Sequence, residues 1–369
     1  MQTDPLPELY PVSGCQLGTV AAGIKTPGRP DLVVMKLVPG SVCAAVFTQN
    51  AFCAAPVIVA REHLSQERPV CLLVNTGNAN AGTGEAGIHD ARLCCESVAN
   101  QLGCVPQAVL PFSTGVIGES LPVEKILAGI PDALAQLDKH GWAAAATGIL
   151  TTDTVPKGAS KKIEIEGQPV TITGIAKGAG MIRPDMATML AFIATDANFG
   201  QDALQDCLSH AVGKSFNRIT VDGDTSTNDA CVLIATGKGM ALEPGTQGYT
   251  LFSEALTDIC VQLAKLIVRD GEGATRFVTI AVEGGATTDE CLQLAYTVAH
   301  SPLVKTALFA GDPNWGRILA AVGRAGIADL DLSRLEIYLD EICIVRAGGR
   351  AADYTEAAGQ QVMDRKEVT

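Results

Sequence analysis

Clustered lysine and arginine are missing from this 369-residue chain, which sets 27 basic against 40 acidic side chains for a net charge of −13. Neutralising a row of phosphates needs basic residues gathered on one surface, so nucleic acid is excluded as a partner, although an acidic protein can still hold a small anion locally. No basic segment followed by an apolar one opens the chain at MQTDPLPELYPVSG, so no export signal is expected. Long apolar runs are absent too: Leu32–Leu37 and Thr188–Ala194 are too short to cross the hydrocarbon of a bilayer, and a soluble, cytoplasmic protein is expected. The 12 cysteines include no CxxC pair and sit in apolar contexts such as VCAAVF, DACVLIA and EICIV, as small hydrophobes do. Cys94 and Cys95 are adjacent on a predicted helix and cannot both face one metal, so neither a metal site nor a disulfide framework is expected.

Two further absences bear on catalysis. None of the five histidines, His63, His89, His140, His210 and His300, stands in a motif with a partner, which leaves a Ser-His-Asp triad unsupported. No glycine-rich loop fits GxxxxGK[ST], or GxGxxG after a strand, so phosphate cradling by those devices is unsupported as well.

What the chain does have is core: 47% hydrophobic residues against 18% charged. Its length suggests about two domains. Short strands are predicted at Asp31–Leu37, Val42–Thr48, Pro56–Ala60, Val70–Val74 and Val109–Phe112, with helices near Ile88–Leu102, Val123–Gln136 and Gly141–Gly148. Lys162–Ile165 and Val170–Ile175 suggest a hairpin that delivers the chain to Lys177. Beyond Ala197 the pattern predicts a helix at Gln201–Lys214, a strand entering VDGDTSTND, a strand at Ala230–Thr236 and a long helix at Tyr249–Val268. A strand at Phe277–Val282, a helix at Asp289–His300, a helix start at GDPNW, a hairpin across Asp340-Glu341 and a last helix from GGRAADY follow. No Ser/Pro-rich linker and no repeat period interrupts the chain, so the parts before and after Thr188 are expected to share one interleaved core. The class is α/β.

Several stretches each admit an ordinary and a chemical reading. The Asn/Gly-rich run Asn75–Gly87 is too polar for core and serves either as a long turn or as a supply of exposed amides near a ligand. Ser113-Thr114-Gly115 at a strand end is a plain turn, or a hydroxyl beside a backbone N–H as in an oxyanion hole. Thr151-Thr152-Asp153-Thr154 is a cap, or a hydroxyl cluster in a loop. Asp222, Asp224 and Asp229 lack the glycine and distal glutamate of a calcium loop and suit turn and cap chemistry. Glu272, between Gly271 and Gly273, is an exposed turn residue or a carboxylate for a substrate ammonium. Thr188 opens a buried strand behind a loop rich in Gly178, Gly180 and Pro184. Either it is a β-branched strand opener, or the Ala187–Thr188 bond is cut and it becomes a nucleophile whose own α-amine is the base.

Taken together, KGAGMIRPDMATMLAFIATDA, PFSTGVIGE, GILTTDTVPK, VDGDTSTND, IVRDGEGAT and GDPNWGRI resemble, in order and from about Val20 onward, the glutamate N-acetyltransferase/ornithine acetyltransferase family of arginine biosynthesis. The resemblance implies layered mixed sheets with helices in a self-processing N-terminal-threonine acyltransferase fold. It implies cleavage between Ala187 and Thr188 into chains 1–187 and 188–369, which stay associated and pair as a heterotetramer. It implies Thr188 as the nucleophile, Thr114 and Gly115 as the oxyanion hole, and Thr151, Lys177, Thr188 and Glu272 as substrate ligands. The implied reaction moves acetyl from N2-acetylornithine to glutamate by ping-pong through acetyl-Thr188. No cofactor is implied, acetyl-CoA being a donor in some members. Two departures stand out: Asp185 replaces the usual asparagine two residues before the scissile alanine, and the family continues beyond the point matching Thr369 with a segment that brings an Asn and a Thr to the substrate site. The alternatives are a self-processing amidohydrolase or aminopeptidase, with water as acceptor, and an uncleaved, inert homologue that only binds.

Overall fold

Strands buried on both faces account for the near-continuous apolar runs of the sequence. A computed structural model of the chain describes residues 5–183 and 189–369 and divides into two compact units, Thr3–Glu272 and Gly273–Thr369. In the larger unit the strands are β1 (Cys15–Val20), β2 (Leu32–Leu37), β3 (Val42–Phe47), β4 (Cys71–Asn78), β5 (Val109–Val116), β6 (Lys157–Ile165), β7 (Gln168–Lys177), β8 (Leu190–Thr195) and β9 (Ala230–Ala235). They make a four-stranded sheet in the order β1-β2-β4-β5 and a five-stranded sheet in the order β3-β9-β8-β7-β6, with β4/β5 and β8/β9 parallel and the other pairs antiparallel. The helices are α1 (Ala55–Gln66), α2 (Gly84–Leu102), α3 (Val123–Ala135), α4 (Trp142–Gly148), α5 (Gln201–Lys214) and α6 (Gln247–Arg269).

The two-residue period of a strand sorts these side chains into layers. Val33 and Met35 of β2 point to a core shared with Phe192 and Ala194 of β8 and Val232 and Ile234 of β9, so the two sheets face each other. Phe112 and Phe192 meet there edge to face, with ring centroids 5.1 Å apart. Leu32 and Val34, one residue out of step, pack against Cys94, Val98, Ile126 and Ile130 of α2 and α3. On the opposite side Ala191 and Ile193 pack against Leu208, Phe252, Ile259 and Leu263 of α5 and α6. The result is a helix–sheet–sheet–helix stack, the layered α/β arrangement expected. Strands β8 and β9, which follow Thr188 in sequence, lie between β7 and β3, which precede it. The division into compact units falls after Glu272.

In the smaller unit α7 (Thr288–Ala299), α8 (Pro302–Ala310), α9 (Trp315–Gly323) and α10 (Glu356–Met363) accompany a pair of short strands, β10 (Phe277–Val278) and β14 (Glu367–Val368). A three-stranded sheet joins β11 (Glu336–Leu339), β12 (Ile342–Arg346) and β13 (Gly349–Arg350).

Four expectations are corrected. Pro56–Ala60 is not a strand but the first turns of α1, where Pro56 supplies the φ of a helix start and loses no needed N–H. Five residues are too few to reveal a helical period. The stretch before VDGDTSTND forms a single 3-10 turn at Phe216–Arg218 and no strand. The strand at Phe277 lasts two residues, and the last helix starts only at Glu356, where Thr355 caps it. Nine of the 12 cysteines are buried, and burial pushes thiols such as Cys15 and Cys71 up to about 12, as for inert core residues.

Candidate active site

The C-terminal residues of β4, β5 and β7 border a cavity of about 530 Å³ in the larger unit. Thr114, Gly115, Thr151, Lys177 and Glu272, drawn from four well-separated stretches of chain, all line it. Asp185, Ala187 and Thr188 lie outside the described residues.

The Asn/Gly run is where expectation and structure part most plainly. Asn75, Thr76, Asn78 and Asn80 are buried, because β4 continues through Asn78 and every one of these amides has partners. Asn75 donates to Asn78 O at 3.0 Å and accepts from Ser113 Oγ at 2.6 Å, while Asn80 Nδ2 donates to Gly87 O at 2.9 Å. This lattice braces the end of β5. Asn228, in the loop that leads into β9, donates to Ser113 O at 2.9 Å and to Ala79 O at 2.6 Å. Thr114 and Gly115 are therefore paired positions near the end of a strand, opposite Thr76 and Gly77, and not a free turn. Gly115 has φ of 140°, and a Cβ there would stand 2.3 Å from Gly77 C, so only glycine fits.

Beneath the cavity lies an ionic cluster that sequence reasoning misses. Lys157 is fully buried, and its ammonium donates to Asp153 Oδ1 and to Asp270 Oδ2, each at 2.6 Å. Asp153 also accepts from Gly178 N at 2.6 Å and Thr151 N at 3.0 Å, and its Oδ2 lies 4.0 Å from Lys177 Nζ. Asp270 accepts from the backbone N of Thr154 at 3.0 Å and from its hydroxyl. The cluster thus ties together the segments that carry Thr151, Lys177 and Glu272. Its only signal in the sequence is that Asp153, Lys157 and Asp270 fall within two of the family-like motifs, GILTTDTVPK and IVRDGEGAT, with Lys157 and Asp270 separated by 113 residues.

Burial works to raise the Asp153 carboxyl, but Lys177, Lys157 and the hydrogen bonds it accepts hold it down at about 2. For Lys177 burial pushes the ammonium below the ordinary lysine value, Asp153 opposes that, and Lys157 adds to it. Glu272 rests against a bare backbone: a Cβ on Gly180 would come within 2.9 Å of its Oε1. Its own N–H is tied to Ala179 O at 2.8 Å.

Two aspartates of the loop after Val221 hold the chain on either side of the undescribed residues. Asp222 accepts from Met181 N at 2.5 Å, Ile182 N at 3.0 Å and Asp224 N at 3.1 Å. Asp229 Oδ1 accepts from Met189 N at 2.9 Å. Their role is that of turn clamps, and among the described residues no group of His, Cys, Asp or Glu is arranged to hold a metal ion. A hydroxyl next to a strand-end amide, an ammonium and a carboxylate facing one cavity can grip an amino acid by its charged groups and receive a developing oxyanion.

A family model described as the ArgJ family matches residues 16–369. The chain is 57% identical over 368 residues to the protein from Pseudomonas fluorescens (strain Pf0-1) named arginine biosynthesis bifunctional protein ArgJ, covering 99% of this chain and 91% of that protein. It is 60% identical over 363 residues to the protein of the same name from Methylococcus capsulatus, covering 98% and 89%. A solved structure of ornithine acetyltransferase complexed with ornithine, from Mycobacterium tuberculosis, is similar with a TM-score of 0.44 and 35% identity, covering 48% of this chain and 96% of that one.

Proposed function

The chain belongs to the ArgJ family, and from that premise we infer that it is an acetyltransferase of arginine biosynthesis, moving the acetyl group of N2-acetylornithine to glutamate through acetyl-Thr188. The observation that carries the reading is the gathering of Thr114, Gly115, Thr151, Lys177 and Glu272 around one cavity.

Activation begins with attack of the Thr188 hydroxyl on the Ala187 carbonyl. The peptide C–N bond breaks, an ester forms, and water hydrolyses it to leave Ala187 as a carboxylate and Thr188 with a free α-amine. That amine has an ordinary pKa near 7.7–8.0, so part of it is neutral at neutral pH and can take the hydroxyl proton. The hydroxyl then attacks the acetyl carbonyl of N2-acetylornithine while the Thr114 hydroxyl and the Gly115 N–H donate to the oxyanion. Ornithine leaves with the proton, and the amine of glutamate attacks the acetyl ester and restores the threonine. Thr151, Lys177 and Glu272 hold the two amino acids, Lys177 by a carboxylate and Glu272 by an ammonium. The steps so written need no cofactor. Acetyl-CoA enters the proposal as a second acetyl donor, in keeping with the word bifunctional in the names of the relatives.

Chains 1–187 and 188–369 would remain together, because β8 is hydrogen-bonded to β7 and β9 to β3. A heterotetramer of two such pairs, in the cytoplasm, completes the proposal. Among the described residues no helix is long and apolar enough to cross a membrane.

Intact mass and N-terminal sequencing beside a Thr188→Ala variant test the first step: two fragments, the second beginning at Thr188, are expected in the wild type only. Incubation with N2-acetylornithine and glutamate should then give N-acetylglutamate. Free acetate in its place would assign the chain to hydrolysis.

A further inference from the structure

Acetyl transfer from acetylornithine to glutamate sets one cavity a problem of charge. The donor's side chain ends in an ammonium and the acceptor's in a carboxylate, so a wall with a single charged ligand for that end would repel one of them. Three carboxylates and three cations line the cavity: Asp31, Asp222 and Glu272, and Lys25, Arg29 and Lys177. Two of the carboxylates are already engaged. Asp31 accepts from Ala22 N and Ile24 N, both at 2.6 Å, and Asp222 from the backbone amides of Met181, Ile182 and Asp224. Glu272 is left for an ammonium.

The same sorting separates the cations. Lys177 is buried beside Asp153 and suits the α-carboxylate that both amino acids carry. Lys25 is exposed on a flexible stem. Arg29 differs from both, because its Nη2 donates to Leu150 O and Thr151 O, each at 3.0 Å. Two carbonyls hold the Nη2 end of the guanidinium, and the Nε and Nη1 donors, on different edges of the plane, remain for a ligand one at a time. They are held next to Thr151, itself on the cavity wall. A cation anchored in advance offers a carboxylate a charge-assisted hydrogen bond without the cost of ordering a long side chain.

We propose that Arg29 receives the side-chain carboxylate of the acceptor, making it the residue that selects glutamate, while Glu272 serves the ammonium of the donor. This rests on the acetyl-transfer reading above. Division of labour between two fixed ligands of opposite sign lets one cavity serve both half-reactions without rearranging. A site built to bond a charged group discriminates strongly against an analogue that lacks the charge. Glutamine has the shape of glutamate and no side-chain charge.

The experiment forms the acetyl-enzyme from N2-acetylornithine, removes excess donor, and compares glutamate with glutamine as acceptor by kcat/KM. Wild type is expected to favour glutamate by about tenfold to a hundredfold, the size of one charge-assisted contact. Arg29→Gln should bring the two acceptors to within about threefold, and its KM for glutamate should rise by at least about tenfold more than its KM for acetylornithine. Arg29→Lys, which keeps the charge without the anchored guanidinium, should restore part of the preference. Equal use of both acceptors by wild type overturns the proposal, even where no variant folds. An Arg29→Gln enzyme that loses both acceptors equally also overturns it, and leaves Arg29 as a brace for Leu150 and Thr151. Failure of the wild type to form any acetyl-enzyme appears before an acceptor is added, and brings down the acetyl-transfer reading and this proposal together.

Discussion

Asp153→Asn and Asp270→Asn each remove one negative charge from the same buried lysine, yet the first should cost far more. Both oxygens of Asp153 accept from fixed donors, Oδ1 from Lys157 and Gly178 N and Oδ2 from Thr151 N. An asparagine there must turn its NH2 toward one set of donors or the other, leaving buried groups unsatisfied. Asp270 is different, because its Oδ1 meets the Thr154 hydroxyl, which can accept as well as donate. An asparagine oxygen can keep Lys157 and Thr154 N while its NH2 donates to that hydroxyl. Asp153→Asn is therefore expected to cost about 3–5 kcal/mol, as for breaking a buried ion pair, and Asp270→Asn about 1–2 kcal/mol. With about 2–4 °C per kcal/mol for a unit of this size, thermal unfolding near pH 7 should show Tm lowered by about 6–20 °C in the first and about 2–8 °C in the second. The dependence on pH carries a sign. A carboxyl held at about 2 in the folded protein, against an ordinary value of 3.8, contributes about 2 kcal/mol above 3.8. That contribution is lost as pH falls from 3.8 through 2, so the gap between wild type and Asp153→Asn should narrow between about pH 5 and pH 2. Equal losses in the two variants, or a gap that stays constant down to about pH 2, would refute the account of the cluster.

Three further outcomes follow from the cavity wall. Gly115→Ala places a methyl group 2.3 Å from backbone carbon at a φ of 140°, so it should lower stability by about 2–4 kcal/mol and abolish transfer, read as Tm and N-acetylglutamate formation. Gly180→Ala meets only the Glu272 carboxylate, at 2.9 Å, and has no positive φ; it should leave Tm within about 2 °C and raise the KM for acetylornithine about tenfold. Because burial lowers the Lys177 ammonium below 10.5, the KM for both amino acids should climb at a pH beneath that value, as the charge proposed to grip their carboxylates is lost. Lys177→Arg, which stays charged, should remove that alkaline limb. In the same window the unfolded lysine binds the extra proton, so the wild type should gain stability as pH rises from the lowered value to 10.5.

Long, strongly patterned elements are legible in the amino-acid sequence. The helix Gln201–Lys214 has the bounds its pattern predicts, and the strands Leu32–Leu37, Val42–Phe47 and Ala230–Ala235 agree within a residue at each end. Periodicity reports which residues turn inward, and that is a local property. Where an element is short its type is lost: the five residues that open α1 resemble a strand, and Phe277–Val282 resembles a full strand where two residues pair. The site divides along the same line. Thr114, Gly115, Thr151, Lys177 and Glu272 stand in recognisable motifs, since chemistry that needs a hydroxyl beside a glycine or a carboxylate between glycines leaves a local pattern.

Local sequence therefore sets the kind of each wall residue and the apolar faces that become layers. Which polar residues can be buried is decided only when the chain is folded. Asn75, Asn78 and Asn80 have the polarity of solvent-exposed residues, yet they are core because Ser113, Glu119, Ser120 and Gly87 supply the partners that water would. Lys157, Asp153 and Asp270 form a dry cluster that no local pattern predicts, since a buried charge is tolerable only when opposite charges arrive from distant parts of the chain.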